Sequence, residues 1–216
     1  MIKGVLFDLD GTLADSLASM ALSGNKALAD VGLPPQPMDK YKYFAGDGAD
    51  MLVKRALIAA GNESLDLYDK TYLQYKNYFR VDCTYQVEPF SGIMELLQEL
   101  KKRKIKIGVI SNKPHQRTVD VVNALFGKNY FDILVGQKKE IPKKPDPQSS
   151  QIAAKELGIL PKECIYVGDT NVDMKTGIAA GMYTVGVLWG FRSREELEKY
   201  KPNAIIEQPK ELLELL

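Results

Sequence analysis

The stretch Val5–Ser16, VLFDLDGTLADS, decides how this sequence is expected to fold. Its first three residues complete an apolar run of strand length that begins at Ile2, and two acids follow, Asp8 and Asp10. Gly11 then marks a turn, so the acids lie where a buried strand ends. Because side chains alternate along a strand, residues two positions apart point the same way. Ligands of open α/β sheets bind at this end of the strands, so the pattern favours a phosphate or metal site over an acidic turn or helix cap.

The composition is that of a globular chain without a charge bias. The 216 residues are 45% apolar, and 29 basic against 28 acidic side chains leave a formal charge of +1. This balance gives no general attraction to nucleic acid or to an anionic membrane. It does not argue against the binding of small anionic substrates. No apolar run of membrane-spanning length and no signal core are found. The two cysteines, Cys83 and Cys164, indicate neither a disulfide framework nor a zinc cluster, so a cytoplasmic protein is expected.

Residues 17–80 carry helical patterns and no strand pattern. Apolar residues recur at helical spacing in three stretches, which are 17–31, 51–60 and 65–79. The last stretch carries a stripe of tyrosines, for which packing between helices is favoured over a ligand surface. Four cations of this segment are candidates for contacting a substrate anion, with simple exposure to solvent as the ordinary alternative; they are Lys42, Lys54, Arg55 and Arg80.

After residue 87 the patterns of helix and strand alternate. Strands are predicted at 105–110, 133–135, 165–167 and 184–187, with helices at 93–103, 117–126, 148–157 and 172–180. This alternation is typical of a parallel sheet with crossover helices, so the fold class is α/β with a Rossmann-like core. We expect residues 16–85 to form an inserted helical cap domain, hinged to a catalytic core made of residues 1–15 and 86–216.

Polar residues also follow two other predicted strands or begin the helices beyond them. Ser111 and Asn112 come directly after the strand at 105–110, where a hydroxyl, an amide and the N–H groups of a turn can hold phosphate oxygens. In KKPDP at 143–147, the two prolines indicate that the side chain of Lys143 or Lys144 is held in a defined direction at the start of a helix.

The run YVGDTNVD at 166–173 places Asp169 at a strand end and Asp173 about one helical turn later. Carboxylates that converge with Asp8 would repel one another unless a cation lay between them. Oxygen ligands without a cluster of histidine or cysteine favour Mg²⁺ over zinc or copper. The only histidine, His115, is expected to be exposed at a helix start.

In this order and at these separations, DLDGTLADS, VISNK, KKPDP and VGDTNVD resemble the four motifs of the haloacid dehalogenase superfamily of aspartate-nucleophile hydrolases. The resemblance spans the whole chain and implies that superfamily's fold with a helical cap of the first type. The stretch YFAGDGADMLVKRAL at 43–57 resembles the cap signature of the phosphoglycolate phosphatase branch. The implied activity is Mg²⁺-dependent hydrolysis of a small phosphate monoester.

The resemblance also implies a role for each site residue. Asp8 would be the nucleophile that forms an aspartyl-phosphate, and Asp10 the general acid and then the general base. Mg²⁺ would be bound by Asp8, Asp169 and the carbonyl oxygen of Asp10, with Asp173 orienting groups behind them. The residues implied to contact the substrate are Thr12, Ser111, Asn112 and Lys144, of which Lys144 also serves catalysis and Thr12 also fixes the loop that aims Asp10.

Other activities share part of this pattern. A sugar phosphomutase of the same superfamily would keep both acids of the first motif but return the phosphoryl group to the substrate, and a pyrophosphatase of the superfamily is a further alternative. A haloalkanoic acid dehalogenase does not need the acid at position 10. A receiver-like phospho-acceptor would signal without turnover, but the inserted helices and Asp10 argue against it. The expected partner is a small-molecule phosphate ester, with no nucleic acid and no membrane, bound by a monomer or a weak homodimer.

Overall fold

A six-stranded parallel sheet forms the centre of the molecule. The structure, a computed structural model, describes all residues from Met1 to Leu216. The strands in chain order are β1 (Gly4–Phe7), β2 (Ala14–Asp15), β3 (Glu88–Pro89), β4 (Lys106–Pro114), β5 (Ile133–Gln137), β6 (Cys164–Gly168), β7 (Tyr183–Val187) and β8 (Ala204–Ile206). The sheet has the order β5-β4-β1-β6-β7-β8 with every neighbouring pair parallel, whereas β2 and β3 form a separate antiparallel pair. The predicted α/β class with a Rossmann-like core is confirmed.

Nine α-helices accompany the strands. In chain order they are α1 (Leu17–Ala29), α2 (Tyr41–Phe44), α3 (Ala49–Ala59), α4 (Tyr68–Asp82), α5 (Ile93–Lys102), α6 (His115–Phe126), α7 (Gln148–Glu156), α8 (Asn171–Ala179) and α9 (Arg194–Glu198). Short 3₁₀ helices cover Met38–Lys40, Pro161–Glu163 and Pro209–Glu214. None of the helices combines the length and the apolar character needed to cross a membrane.

The sheet is covered on both faces, which explains why its central strands are apolar throughout. In β1, Val5 and Phe7 belong to a buried cluster of 39 residues, whereas Leu6 points to a second cluster of 9 residues on the opposite face. Helices α5 and α6 contribute to the larger cluster, and α7 contributes Ala153 and Ala154 to the smaller one. A strand buried on both faces shows a continuous apolar run instead of alternation.

Helices α1 to α4 lie between β2 and β3, as the pattern of residues 17–80 predicted. The larger apolar cluster runs from the sheet into these helices and includes Leu28, Leu57 and Tyr75. The segments that enter and leave the helical insert lie next to each other, because Asp15 pairs with Glu88 in the antiparallel β2–β3 ribbon. The helical insert therefore shares buried apolar surface with the rest of the chain.

Several boundaries differ from the sequence prediction. Strand β4 continues through Pro114, so Ser111, Asn112 and Lys113 lie in an irregular end of the strand, where the pairing with β5 shifts after Ile110, and not in a turn beyond it. Strand β8 and helix α9 were not predicted, since three apolar residues and a short charged helix show no measurable period.

The order of the strands brings distant motifs to one edge of the sheet. The chain moves from β1 to β4 and β5 on one side and then to β6, β7 and β8 on the other. The carboxyl ends of β1, β4 and β6 are therefore neighbours, at the crevice where open α/β sheets bind ligands. Asp8, Ser111 and Asp169 follow or end these three strands.

Candidate active site

The side chain of Lys144 links two acids at the carboxyl edge of the sheet. Its ammonium donates hydrogen bonds to Asp8 Oδ1 at 2.8 Å and to Asp173 Oδ1 at 2.7 Å, and a third to the carbonyl of Ile110 at 3.2 Å. All three donors are thus used. Of the two candidate lysines in KKPDP, the structure places Lys144 in the acidic cluster.

Three carboxylates converge around this lysine. Oxygen atoms of Asp8, Asp169 and Asp173 lie within 4.8 Å of one another, and all three residues are buried. Burial raises the pKa of Asp8 well above its usual range, and the charge of Asp173 adds to the rise while Lys144 opposes it. Burial and the charge of Asp173 raise the pKa of Asp169 to about 7. For Lys144, burial lowers the pKa, but the charges of Asp173 and Asp8 outweigh burial and the net pKa is raised.

Asp169 is fixed by short contacts on both carboxylate oxygens. The hydroxyl of Thr12 donates to Oδ1 at 3.0 Å, and the backbone N–H of Phe191 donates to Oδ2 at 2.8 Å. A Cβ atom at Gly11 or Gly190 would overlap the Asp169 side chain, and Gly11 also has a φ of +87°. The two glycines let the backbone approach this carboxylate closely.

Asp173 is held by the start of helix α8. Its Oδ2 accepts from the backbone N–H of Thr170 at 3.1 Å and from the Thr170 hydroxyl at 2.6 Å, the reciprocal pattern of a capping box. Oδ1 accepts from Lys144 and, at 3.3 Å, from the hydroxyl of Tyr166. Asp173 therefore positions Lys144 next to Asp8.

Asp10 lines a cavity together with Asp8. Its Oδ1 accepts a 2.5 Å hydrogen bond from the hydroxyl of Ser16 and lies 2.9 Å from the ammonium of Lys113. The Lys113 side chain is 2% exposed. Sequence reasoning did not single out Lys113, although it directly follows Ser111 and Asn112.

The cavity lies between the sheet edge and the inserted helices. Its volume is about 50 Å³, and its lining residues are Asp8, Asp10, Met20, Ala45, Gly46, Gly48, Ala49, Leu52, Tyr75, Phe79, Ser111, Asn112, Lys113 and Pro114. The two aromatic residues belong to α4 and stack with ring centroids 5.2 Å apart. The tyrosine stripe thus packs between helices, as predicted, and its buried end also forms a wall of the cavity.

The side chain of Asn112 joins three segments around this cavity. Its amide N–H₂ donates to the carbonyls of Gly46 at 3.0 Å and Lys144 at 3.1 Å, and its Oδ1 accepts from the Lys144 N–H at 2.8 Å. The neighbouring Lys143 forms an ion pair with Asp50 of α3. Asn112 therefore holds residues 45–48, which we call the α2–α3 loop, and Lys143 holds the adjoining start of α3.

A third anchor of this region is Arg192, which no sequence pattern singles out. Its guanidinium donates to the carbonyls of Lys42 and Ala45, the latter at 3.1 Å, and pairs with Glu196 at 3.2 Å. The arginine also lies 5.3 Å from the ring centroid of Tyr43. A cation at the C-terminal end of helix α2 is favourably placed for the helix carbonyls.

Ser111 and Thr12, both implied to contact substrate, occupy different positions. Ser111 lines the cavity, and its hydroxyl accepts from the backbone N–H of Lys113 at 3.1 Å. Thr12 is buried and does not line the cavity; its hydroxyl is used by Asp169, and its carbonyl accepts from the indole N–H of Trp189 at 2.9 Å. Thr12 therefore positions Asp169, and direct contact with a substrate stays a prediction.

Other residues considered from the sequence lie outside the cavity. His115 is half-buried, not exposed as predicted, because its Nδ1 accepts the backbone N–H of Gly136 at 3.2 Å and ties α6 to β5. Both cysteines are buried and free. The four candidate cations of the helical insert do not line the cavity; they are Lys42, Lys54, Arg55 and Arg80. Arg55, for example, pairs with Asp47 at 2.5 Å.

Comparisons with known proteins agree with this geometry. The sequence model of the haloacid dehalogenase-like hydrolases matches residues 5–187. The chain is 32% identical over 213 residues to the phosphoglycolate phosphatase of Yersinia pestis, covering 98% of this chain and 92% of that protein. It is 29% identical over 212 residues to the phosphoglycolate phosphatase of Pseudomonas putida, covering 97% of this chain and 78% of the relative.

Solved structures give the same assignment. A predicted phosphoglycolate phosphatase from Haemophilus somnus 129pt superposes with a TM-score of 0.91 at 28% identity, covering 99% of this chain and 97% of the other. The resemblance seen in the four motifs is thereby confirmed over nearly the whole chain. The chain belongs to the haloacid dehalogenase-like hydrolase family and is a phosphatase of its phosphoglycolate phosphatase-like branch.

Proposed function

We propose that this phosphatase hydrolyses a small phosphate monoester through a phosphorylated Asp8, with Mg²⁺ as its cofactor. The observation that carries the proposal is the position of Asp8, which directly follows β1, lies next to the ammonium of Lys144 and lines the cavity beside Asp10. Relatives named phosphoglycolate phosphatase make phosphoglycolate the first substrate to test.

Asp8 is the nucleophile of this mechanism. One carboxylate oxygen attacks phosphorus in line with the ester oxygen, so that a bond from Asp8 to phosphorus forms while the ester bond breaks. The electron pair of the broken bond goes to the departing oxygen. Lys144, fixed by Asp173, holds the attacking carboxylate in place and adds positive charge where the phosphoryl oxygens gather.

Asp10 moves the protons of both steps. In the first step it gives a proton to the departing oxygen, and in the second it takes a proton from the water that attacks phosphorus and releases Asp8. The hydroxyl of Ser16 and the ammonium of Lys113 both lie at Oδ1, so Oδ2 carries none of the side-chain contacts described above. We assign the proton transfer to Oδ2.

The donor set fits a magnesium ion. Three buried carboxylates stand against a single buried ammonium in their cluster, and burial together with mutual repulsion raises the pKa of Asp8 and Asp169, so a divalent cation would relieve the repulsion. Gly11 and Gly190 have no Cβ atom that would overlap the Asp169 side chain. Asp8, Asp169 and the Asp10 carbonyl would hold Mg²⁺, which supplies positive charge that offsets repulsion between the phosphate dianion and Asp8.

The remaining contacts position these groups. Ser111, which lines the cavity, donates its hydroxyl to the phosphoryl group. The Asn112 amide is used within the protein, so we assign it the task of joining the motif loops to the α2–α3 loop. We propose that residues 16–85 act as a cap domain on the core of residues 1–15 and 86–216, since the cavity lies between the two. A cytoplasmic location and a monomer or weak homodimer remain predictions.

The experiment is a panel of phosphate esters assayed in excess chelator and again after Mg²⁺ is added. The panel includes phosphoglycolate, sugar phosphates, nucleotides and pyrophosphate. We expect Mg²⁺-dependent release of phosphate from at least one small monoester. Conversion of a sugar phosphate into an isomer would identify a mutase, preference for pyrophosphate would identify a pyrophosphatase, and full activity in chelator would contradict the cofactor assignment.

A further inference from the structure

Lys143 directly precedes Lys144 in the chain, but its side chain binds the helical insert instead of the acidic cluster. Its ammonium donates a hydrogen bond to Asp50 Oδ1, in the first turn of α3, and forms an ion pair with this carboxylate. Partial burial raises the pKa of Asp50, but the hydrogen bond and the charge of Lys143 outweigh burial, so the net pKa is lowered and the acid is charged at neutral pH. The phosphoryl chemistry gives this ion pair no function.

The ion pair lies directly outside the wall of the cavity. Gly48 lines the cavity, and a Cβ atom at this position would lie 3.3 Å from Asp50 Oδ1 and 3.4 Å from the ammonium of Lys143. Ala49 and Leu52 of α3 line the same cavity. A movement of α3 away from Lys143 would therefore move this wall of the cavity.

On the other side of the ion pair, the backbone of Lys143 and Lys144 is fixed by short hydrogen bonds. The carbonyl of Lys143 accepts from the N–H of Asp146 at 3.0 Å, which closes a turn around Lys144. The side chain of Asn112 binds both the N–H and the carbonyl of Lys144 and also donates to the carbonyl of Gly46. The backbone that carries the Lys144 side chain is thus joined to the helical insert at two points, through Lys143 and through Asn112.

The two points differ in their exposure to solvent. Asn112 is 7% exposed, whereas the side chains of Lys143 and Asp50 are 37% and 31% exposed. A partly exposed ion pair is weak and is screened by salt, so it can break and re-form during turnover. We propose that the ion pair of Lys143 and Asp50 is a latch that ties the closed position of α3 over the cavity to the position of the Lys144 ammonium. Both are then positioning residues for the hydrolysis, an inference that rests on the proposed function.

The test is a double-mutant cycle of Lys143→Met, Asp50→Asn and the double variant, assayed with phosphoglycolate and with p-nitrophenyl phosphate. Each single variant is expected to lower kcat by about two- to fivefold with a smaller change in KM, and the double variant should lose no more than the worse single variant. Lys143→Arg, which keeps the charge, should recover most of the loss. Lys106→Met is the matched control and should keep the wild-type kcat, because it breaks a partly exposed ion pair with Asp132 outside the cavity.

A second measurement needs no substrate. Amide hydrogen exchange of residues 45–52 is expected to be faster in Lys143→Met than in the wild-type protein, since α3 loses its contact with the core. Salt at about 1 M should bring the exchange of the wild-type protein towards that of the variant, because it screens the ion pair. Lys106→Met should exchange like the wild-type protein in this segment.

The outcomes separate the latch from the proposed function. Losses that multiply in the double variant, or a Lys143→Met protein with the wild-type kcat, would overturn the inference, even if exchange becomes faster. If Lys143→Met does not fold, Asp50→Asn and the salt dependence of exchange decide in its place. A wild-type protein that hydrolyses no phosphate ester refutes the proposed function, whereas equal exchange in Lys143→Met and the wild-type protein refutes the latch by itself.

Discussion

The ammonium of Lys144 lies 2.8 Å from the carboxylate of Asp8, although the two residues are 136 positions apart in the chain. The same ammonium lies 2.7 Å from Asp173, so one cation holds two acids that would otherwise repel each other. Asp8 directly follows β1 and Asp173 lies in the helix after β6, whereas Lys144 lies beyond β5 and also contacts the Ile110 carbonyl of β4. The contact therefore depends on the strand order β5-β4-β1-β6.

Replacing Asp8 by Asn is expected to abolish turnover while leaving the protein folded. An amide neither attacks phosphorus nor carries the charge that pairs with Lys144, so kcat should fall by more than about 10³-fold. The measurement is phosphate release together with far-ultraviolet circular dichroism. Asp39→Asn is the matched control, because that side chain is 89% exposed and lies on the helical insert. Activity close to wild type in Asp8→Asn would refute the nucleophile assignment.

Replacing Asp10 by Asn is expected to slow alkyl phosphates by about 10² to 10⁴ in rate, since alkoxide departure needs a proton donor. An activated aryl ester such as p-nitrophenyl phosphate needs little protonation, so its first step should survive better. Phosphorylated Asp8 should then accumulate, because the base that activates water is missing. Rapid-quench trapping of phosphoprotein measures this. Equal slowing of both substrates without trapped phosphoprotein would make Asp10 a structural residue.

Replacing Arg192 by Met is expected to loosen the α2–α3 loop. The carbonyls of Lys42 and Ala45 lose a charged donor, so the free energy of unfolding should fall by about 1–3 kcal/mol. Amide hydrogen exchange of residues 41–48 should rise. Arg194→Met is the control, because Arg194 forms only exposed ion pairs and such changes stay within about 0.5 kcal/mol. Equal exchange in both variants would show that Arg192 does not anchor the loop.

His115 is expected to make stability depend on pH. Burial, with a smaller effect of the charge of Lys138, lowers the pKa of His115 below its usual 6.5. The unfolded chain then takes up the proton first as pH falls, so the contribution is complete above about 6.5 and is lost as pH falls through the pKa of the folded state. Because this is the only histidine, its NMR titration can be assigned directly.

The matched variant is His115→Asn, which offers an acceptor to Gly136 without titrating in this range. Lowering the pH from 7.5 to 5 should reduce the free energy of unfolding, measured in urea, more for the wild-type protein than for the variant. This follows from the linkage relation between pKa and stability. A pKa at or above 6.5 in the folded protein, or parallel pH profiles for the two proteins, would contradict the prediction.

Much of the architecture was predictable because it depends on patterns among neighbouring residues. The apolar run before Asp8, the alternation after residue 87 and the helical spacing of 17–80 are each contained in a few neighbouring residues. The acids and Lys144 were accessible for the same reason, since strand ends and prolines mark their places. The prediction that the motifs meet at one edge of the sheet follows because open α/β sheets bind ligands at the carboxyl ends of their strands.

Lys113 and Arg192 were missed because their importance depends on contacts between distant elements. Lys113 is one of 29 basic residues, and only the packing of Phe79 and Asp10 around it distinguishes it from an exposed lysine. Arg192 follows a strand like many exposed arginines, and its burial depends on the end of α2. His115 was misjudged for a related reason, as its acceptor role requires the neighbouring β5.

Trp189 gives the protein an intrinsic fluorescence signal from a single residue. It is the only tryptophan, and its indole N–H is bonded to the carbonyl of Thr12, in the loop that separates Asp10 from the helical insert. Indole emission responds to the polarity and hydrogen bonding around the ring, so a change in that loop alters the fluorescence of a single, known residue. Any ligand whose binding moves this loop can therefore be titrated in unlabelled protein, before turnover is measured.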